Sequence, residues 1–160
     1  MSENAALIAE IEAQEARLRF ARFTNDDALR LGLLIVRLAT ERSLGVTVDI
    51  TRGEQQLVHI ALDGSTADND EWIARKTRVV RRFAASSLLI GLRQGEDFNA
   101  KFDLPLSLYA AHGGSFPIVV DGVGLVGTVT VSGLPQRDDH ALVVEALELF
   151  LTPSAPASAE

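Results

Sequence analysis

Two stretches of alternating, β-branched sequence, each turned back on itself at a glycine, constrain this chain more than any other feature. In the first, "VTVDIT" from Val46 puts Val46, Val48 and Ile50 on one side and Thr47, Asp49 and Thr51 on the other. Gly53 breaks the run and "QLVHIAL" resumes it, with His59 pointing opposite to Val58, Ile60 and Leu62, toward the more polar face. In the second, a strand opens at Pro117, Asp121-Gly122 makes the turn, and Leu125 to Val131 returns. Proline is tolerated at the first residue of a strand, where no ladder amide is needed. Two hairpins mean antiparallel pairing.

Amphipathic helices surround these hairpins. Residues 3–20 read as an alanine- and glutamate-rich helix with Leu7, Ile8, Ile11 and Leu18 on a thin apolar stripe. Thr24 with Asp27 has the spacing of a helix cap, and Leu31, Leu34, Ile35 and Leu38 follow as a core face toward Arg42. A third helix is expected to start at Asp68 or Asn69, after the turn-forming "DGSTADND". Between 87 and 116, glycines and Pro105 interrupt any period, so a turn or two of helix and another short helix around Leu106 to Ala111 are expected there. The last helix spans Gln136 to Leu151, with Asp138 and Asp139 in its first turn to complement the helix dipole. Helices before and after hairpins predict an α+β fold, an antiparallel sheet of four or five strands packed with helices as an α-β-α sandwich.

At 160 residues with 47% hydrophobic content, the chain is long enough to bury one core unaided. Residues 1–21 form a helical segment that either lies on the domain or reaches another subunit as an oligomer arm; 22–151 form one domain; "TPSAPASAE", 152–160, reads as a disordered tail. The absence of cysteine excludes disulfides, thiolate metal sites and cysteine nucleophiles, and suits a reducing cytoplasm. Acidic residues near the start do not fit a signal peptide, and no apolar run approaches the roughly 20 residues of a membrane span. A net charge of −7 argues against nucleic acid or an anionic membrane as partner. Three scattered histidines do not make a zinc site, and no metal site is expected. Gly122, Gly124 and Gly127 spell G-x-G-x-x-G inside a hairpin, where no helix N-terminus is available to cradle phosphate.

What the architecture leaves unexplained is a short list. On a wheel of ~100° per residue, Trp72, Ile73, Val79, Val80 and Phe83 fill one arc of the third helix and Lys76 falls near its centre. A buried ammonium needs a carboxylate, a wet pocket or an anionic ligand, unless its flexible stem carries the head to solvent. Arg75, Arg78 and Arg82 cluster beside the arc, and Arg81 points away from it. Ser86 and Ser87 continue the helix, with Ser87 returning to the Lys76 face either as a ligand donor or bonded back to the preceding turn. His112 precedes Gly113 and Gly114, a pair that lets backbone approach a ligand closely or simply punctuates a loop. Ser132 and His140 flank the start of the last helix.

The segments "DNDEWIARKTRVVRRFAASS" and "HGGSFPI…GLVGTVTVSGLPQRDDHALVVEAL" resemble the haem-degrading-domain family typified by GlcG, HbpS and the C-terminal domain of PduO, and within it a branch of small stand-alone proteins. Gly113, Gly114, Pro117, Ile118, Gly127, Val131, Ser132, Gly133 and Asp139 carry the general pattern; Trp72, Arg75, Lys76, Ser86, Ser87, Leu134, Pro135 and His140 carry the branch. The resemblance covers about residues 22–150. It implies a helix-and-sheet sandwich, homo-oligomeric assembly, and binding of haem or a related anionic tetrapyrrole, in some members with haem breakdown. Three readings stay open: a binding module for such a ligand, with His112 reaching iron and Lys76 and Arg75 meeting propionates; a non-enzymatic homo-oligomeric adaptor; and an enzyme acting on a small acidic metabolite.

Overall fold

The computed structural model describes residues 2–152; most of the proposed tail therefore lies outside the described residues. In chain order the elements are α1 (Glu3–Arg17), α2 (Asn25–Glu41), β1 (Thr47–Arg52), β2 (Gln55–Ala61), α3 (Ala67–Phe83), α4 (Ser87–Gln94), α5 (Phe98–Lys101), β3 (Ser115–Val120), β4 (Gly124–Ser132) and α6 (Gln136–Leu151). The four strands form one sheet in the order β2-β1-β4-β3, and every neighbouring pair is antiparallel. The expected α+β fold is present, with helices on both faces.

The two faces differ in chemistry. On one, Val46, Val48 and Ile50 join Val129, Val131, Phe116 and Ile118 against Leu31, Ile35 and Leu38 of α2 and Leu142, Val143 and Leu147 of α6. Its chief side chains are almost entirely removed from water. Sequence alternation dictates this layer, and burial at about 25 cal/mol per Å² makes it the main source of stability. The opposite face presents Thr47, Asp49, Thr51, Ser115, Thr128, Thr130 and Ser132, all buried, and α3 lies across it. Four of the hydroxyls there pair with one another: Thr51 and Thr128 stand 2.8 Å apart, Ser115 and Thr130 2.9 Å. A smaller apolar cluster joins Ile11 of α1, Val79 of α3, Leu88, Leu89 and Ile90 of α4, and Phe98.

Local boundaries follow from capping. Asp27 of α2 accepts from the Thr24 amide at 2.8 Å while the Thr24 hydroxyl accepts from the Asp27 amide at 3.1 Å, the reciprocal cap expected from their spacing. α3 starts before Asp68, because Asn69 accepts from the Thr66 amide at 2.9 Å and fixes the N-terminus at Ala67. It also ends earlier than expected: Ala84 is left-handed (φ 54°), and the Ser86 hydroxyl caps α4 instead of continuing α3. The short helix sought around Leu106 to Ala111 is absent; residues 106–108 make a turn, 109–111 are irregular, and the short helix lies at Phe98–Lys101. The physical reason is competition for carbonyls. Arg75 Nε donates to Leu106 O at 2.9 Å and Arg78 Nη1 to Leu108 O at 3.1 Å, so the loop bonds to α3 where a helix would bond to itself.

α1 rests on its own chain. Ile11 is wholly buried, Glu12 pairs with Arg93 of α4 at 2.8 Å, and Glu15 accepts from the Ser86 amide at 3.0 Å.

Candidate functional site

Where α3 crosses the start of α6, a cleft of about 310 Å³ opens between Asn69, Trp72 and Lys76 on one wall and Ser132, Gly133, Leu134, Gln136 and Asp139 on the other, with His112 at its mouth. Lys76 occupies the centre of the apolar arc, as the helical wheel requires, and its side chain is only 4% exposed. Its Nζ donates to Asp139 Oδ2 at 3.0 Å and to Val131 O at 3.3 Å. Asp139, on the first turn of α6, accepts from the Leu134 amide at 2.9 Å with its other oxygen. Burial holds the lysine below its ordinary pKa against the opposing pull of Asp139, and burial holds Asp139 above the usual carboxylate range against the pull of Lys76.

An ammonium carries three donors, and among the described residues Lys76 has two acceptors. One N–H of a buried cation in a cleft wall is left over. Neighbouring groups are in the same condition. Ser132 accepts from Asn69 Nδ2 at 3.2 Å, which leaves its own O–H to donate. Gln136 accepts from the Gly113 amide at 3.0 Å through Oε1, which leaves its amide nitrogen. The cleft is therefore a convergence of donors.

The mouth is built by the loop that the arginines hold. Ala110 donates its amide to Arg75 O at 3.2 Å, and the Arg75 guanidinium lies 4.3 Å over the Trp72 ring. Trp72 in turn meets His112, ring centre to ring centre at 5.2 Å. Partial desolvation there, with the charges of Lys76 and Arg75, keeps the His112 pKa below its ordinary value. The imidazole is neutral at physiological pH.

Of the residues singled out from sequence, Trp72, Lys76, His112 and Ser132 line this cleft, and Arg75 braces it through Trp72. Gly113 and Gly114 are structural. A Cβ on Gly113 would strike the Gln136 carbonyl; one on Gly114, where φ is +134°, would stand 2.8 Å from Lys76 Nζ. Ser86 and Ser87 do not reach Lys76: the first caps α4, and the second accepts from the Ser115 amide at 3.1 Å. His140 faces the other side, 5% exposed, with Nε2 at 2.8 Å from Gln14 Oε1 and Nδ1 unpartnered. Burial drops its pKa to about 4. Asn69, Gln136 and Asp139 are not among the site residues expected from sequence; "DD" at a helix start looks like ordinary dipole complementation, and the signals toward Asp139 are its place in the family pattern and the pairing demand of Lys76.

On the far flank of α3, a second cleft of about 360 Å³ contains His59 between two carboxylates, Nδ1 at 2.8 Å from Asp49 and Nε2 at 2.9 Å from Asp70. Arg81, which points away from the apolar arc, donates there to Thr51 Oγ1 at 3.2 Å and Gly53 O at 2.8 Å. The donors and acceptors of this cluster are largely spent on one another. Among the described residues no cluster of acidic and histidine side chains has the arrangement of a metal site.

The family model for haem degrading protein HbpS-like matches residues 23–148. The chain belongs to the HbpS-like family. UPF0303 protein SCO2848 of Streptomyces coelicolor is 59% identical over 150 residues, covering 92% of this chain and 95% of that one. The crystal structure of Ybr137w protein superposes with a TM-score of 0.87 at 32% identity, over 92% of this chain and 90% of the other. The crystal structure of a PduOC:heme complex matches at TM-score 0.67 and 15% identity, over 78% and 92%, a likeness of fold. No helix among the described residues is long and apolar enough to cross a membrane.

Proposed function

We propose that the protein is a small-molecule-binding protein whose α3–α6 cleft takes a compact, carboxylate-bearing ligand. The observation that carries this reading is the unspent N–H of Lys76, a buried cation in the wall of a cleft where the Ser132 hydroxyl and the Gln136 amide also have donors to spare. A donor-lined cavity is completed by an acceptor-rich anion, and charge-assisted hydrogen bonds to a carboxylate are the strong ones. Its size, about 310 Å³, lies at the low end of the roughly 300–1,000 Å³ typical of ligand pockets.

Haem is the ligand that the family and the PduOC:heme neighbour bring forward. Its propionates match the donors and its iron matches neutral His112, but walls of Asn69, Lys76, Ser132, Gln136 and Asp139 do not suit the apolar macrocycle. Haem is accommodated only with a propionate in the cleft and the ring at the mouth, against Trp72. The pairing of charges also weighs on the adaptor reading: Lys76, Arg75 and Arg78 find partners in their own chain, so none of them requires a second subunit. The surface left for self-assembly includes the exposed Leu29 and Leu33 of α2.

Thermal-shift and calorimetric titration with small carboxylates, alongside hemin monitored at the Soret band, tests the reading. A carboxylate-dependent stabilisation that is lost in Ser132→Ala or Lys76→Met is expected. A Soret shift weakened in His112→Ala assigns haem to the mouth. No response to any carboxylate or to hemin overturns the proposal.

A further inference from the structure

The chain has 15 basic side chains, and only Lys76 and Lys101 among them are lysine; every other one is arginine. The single cation that α3 buries at the centre of its apolar arc is thus an amine, in a chain that elsewhere uses a guanidinium. The two differ in one respect that matters to chemistry. A guanidinium keeps its proton in proteins, whereas an amine can release it and become a nucleophile. Lys76 has around it what such a step needs. Asp139 Oδ2 stands 3.0 Å away to receive the ammonium proton, and neutral His112 and the Ser132 hydroxyl line the same cleft.

We propose that Lys76 condenses reversibly with the carbonyl carbon of a small carbonyl-bearing carboxylic acid, a 2-oxo acid or an aldehyde acid, held in the α3–α6 cleft. This rests on the carboxylate-binding reading above and names the ligand's second functional group. The ammonium passes a proton to Asp139, leaving amine and carboxylic acid. The amine lone pair forms the C–N bond as the carbonyl π pair moves to oxygen, and one proton shifts from nitrogen to that oxygen to give the carbinolamine. Asp139 returns its proton to the hydroxyl, which departs as water. Nitrogen's lone pair completes the C=N bond, and the iminium faces the restored Asp139 carboxylate. Atoms and charge balance: ammonium plus carbonyl gives iminium plus water, with no outside oxidant or reductant. Burial supports the step by favouring the uncharged amine.

The test is reductive trapping of the full chain with sodium cyanoborohydride and either pyruvate or glyoxylate, read by intact mass and peptide mapping. One adduct is expected, its mass gain that of the acid less one oxygen atom, on Lys76. It should exceed labelling of the exposed Lys101, which lies outside the cleft. Lys101→Arg retains the adduct and Lys76→Arg abolishes it. Labelling confined to Lys101 and the terminal amine of the wild-type chain overturns the inference, whether or not the variants fold. Lactate, which has the carboxylate without the carbonyl, separates the two levels. If lactate and pyruvate stabilise the protein equally and nothing is trapped at Lys76, the imine is refuted and the binding site stands; if neither binds nor labels, both readings fall.

Discussion

Removing one half of the buried ion pair should be far more costly than removing both. In Lys76→Met the flexible thioether keeps most of the lysine's packing volume, but Asp139, 2% exposed, loses its counter-charge. Breaking a buried pair from one side costs about 3–5 kcal/mol, a large part of the roughly 5–15 kcal/mol that holds a domain folded. The carboxylate can escape that cost only by taking a proton. Its folded pKa is already raised by burial and rises further without Lys76, so the penalty is full above the folded value and shrinks as pH falls through it toward the unfolded value of about 3.9. Urea unfolding at about pH 7 and about pH 5 should therefore show a deficit that narrows in acid. Lys76→Met/Asp139→Asn, which keeps an acceptor for the Leu134 amide, should regain most of the loss. A deficit of Lys76→Met below about 1 kcal/mol, or one equal at both pH values, would mean that Asp139 remains hydrated and would refute the reasoning.

Gly114→Ala should destabilise by about 3 kcal/mol in denaturant unfolding, since its backbone is left-handed and its Cβ meets Lys76 Nζ and the Val131 carbonyl. His140 is neutral when folded and charged when unfolded between about pH 6.5 and about 4, so stability should fall by roughly 3 kcal/mol on acidification through that window, and His140→Leu should flatten the slope. His59 behaves oppositely. Burial pulls its pKa down, but the Asp49 and Asp70 carboxylates outweigh it and raise the value, so its stabilisation is present below about pH 6.5 and lost as pH rises through the folded pKa. Comparison of wild type with His59→Gln across neutral to alkaline pH checks the sign. On the buried face under α3, Thr47→Val should be neutral or stabilising because Thr47 Oγ1 has no partner, whereas Thr130→Val, which orphans the Ser115 hydroxyl, should cost about 1–3 kcal/mol by the same unfolding assay.

Legibility in the sequence follows the range of the forces involved. Hairpins and the last helix are fixed by periodicity and turn chemistry within a few residues of each other, and α6 runs from Gln136 to Leu151 as its pattern requires. The anomaly of Lys76 is also local, because a charge at the centre of an apolar arc is visible on one helix. What answers it is not local: Asp139 lies 63 residues away and resembles any first-turn carboxylate. His140 shows the same limit, since its burial depends on Gln14, 126 residues distant. Ser86 and Ser87 mislead because the residue that ends α3, Ala84, adopts a left-handed conformation without being glycine or asparagine. The alternation of Thr47, Asp49 and Thr51 suggests a solvated face; α3 covers it, and supplies Thr77 3.4 Å from Thr130 as a polar contact of its own.

That division between faces explains where the cleft lies. One side of the sheet carries the hydrocarbon that stabilises the fold, and a polar group placed there would lose its hydration with nothing to replace it. The other side is already a hydrogen-bonded layer of hydroxyls, so an ammonium, a carboxylate and unspent donors can be held at its edge by groups that share their chemistry. Ser132, the last residue of β4, belongs at once to that layer and to the cleft. The binding surface is thus the open end of the polar layer, at the point where α3 runs past the sheet and the start of α6 turns in to meet it.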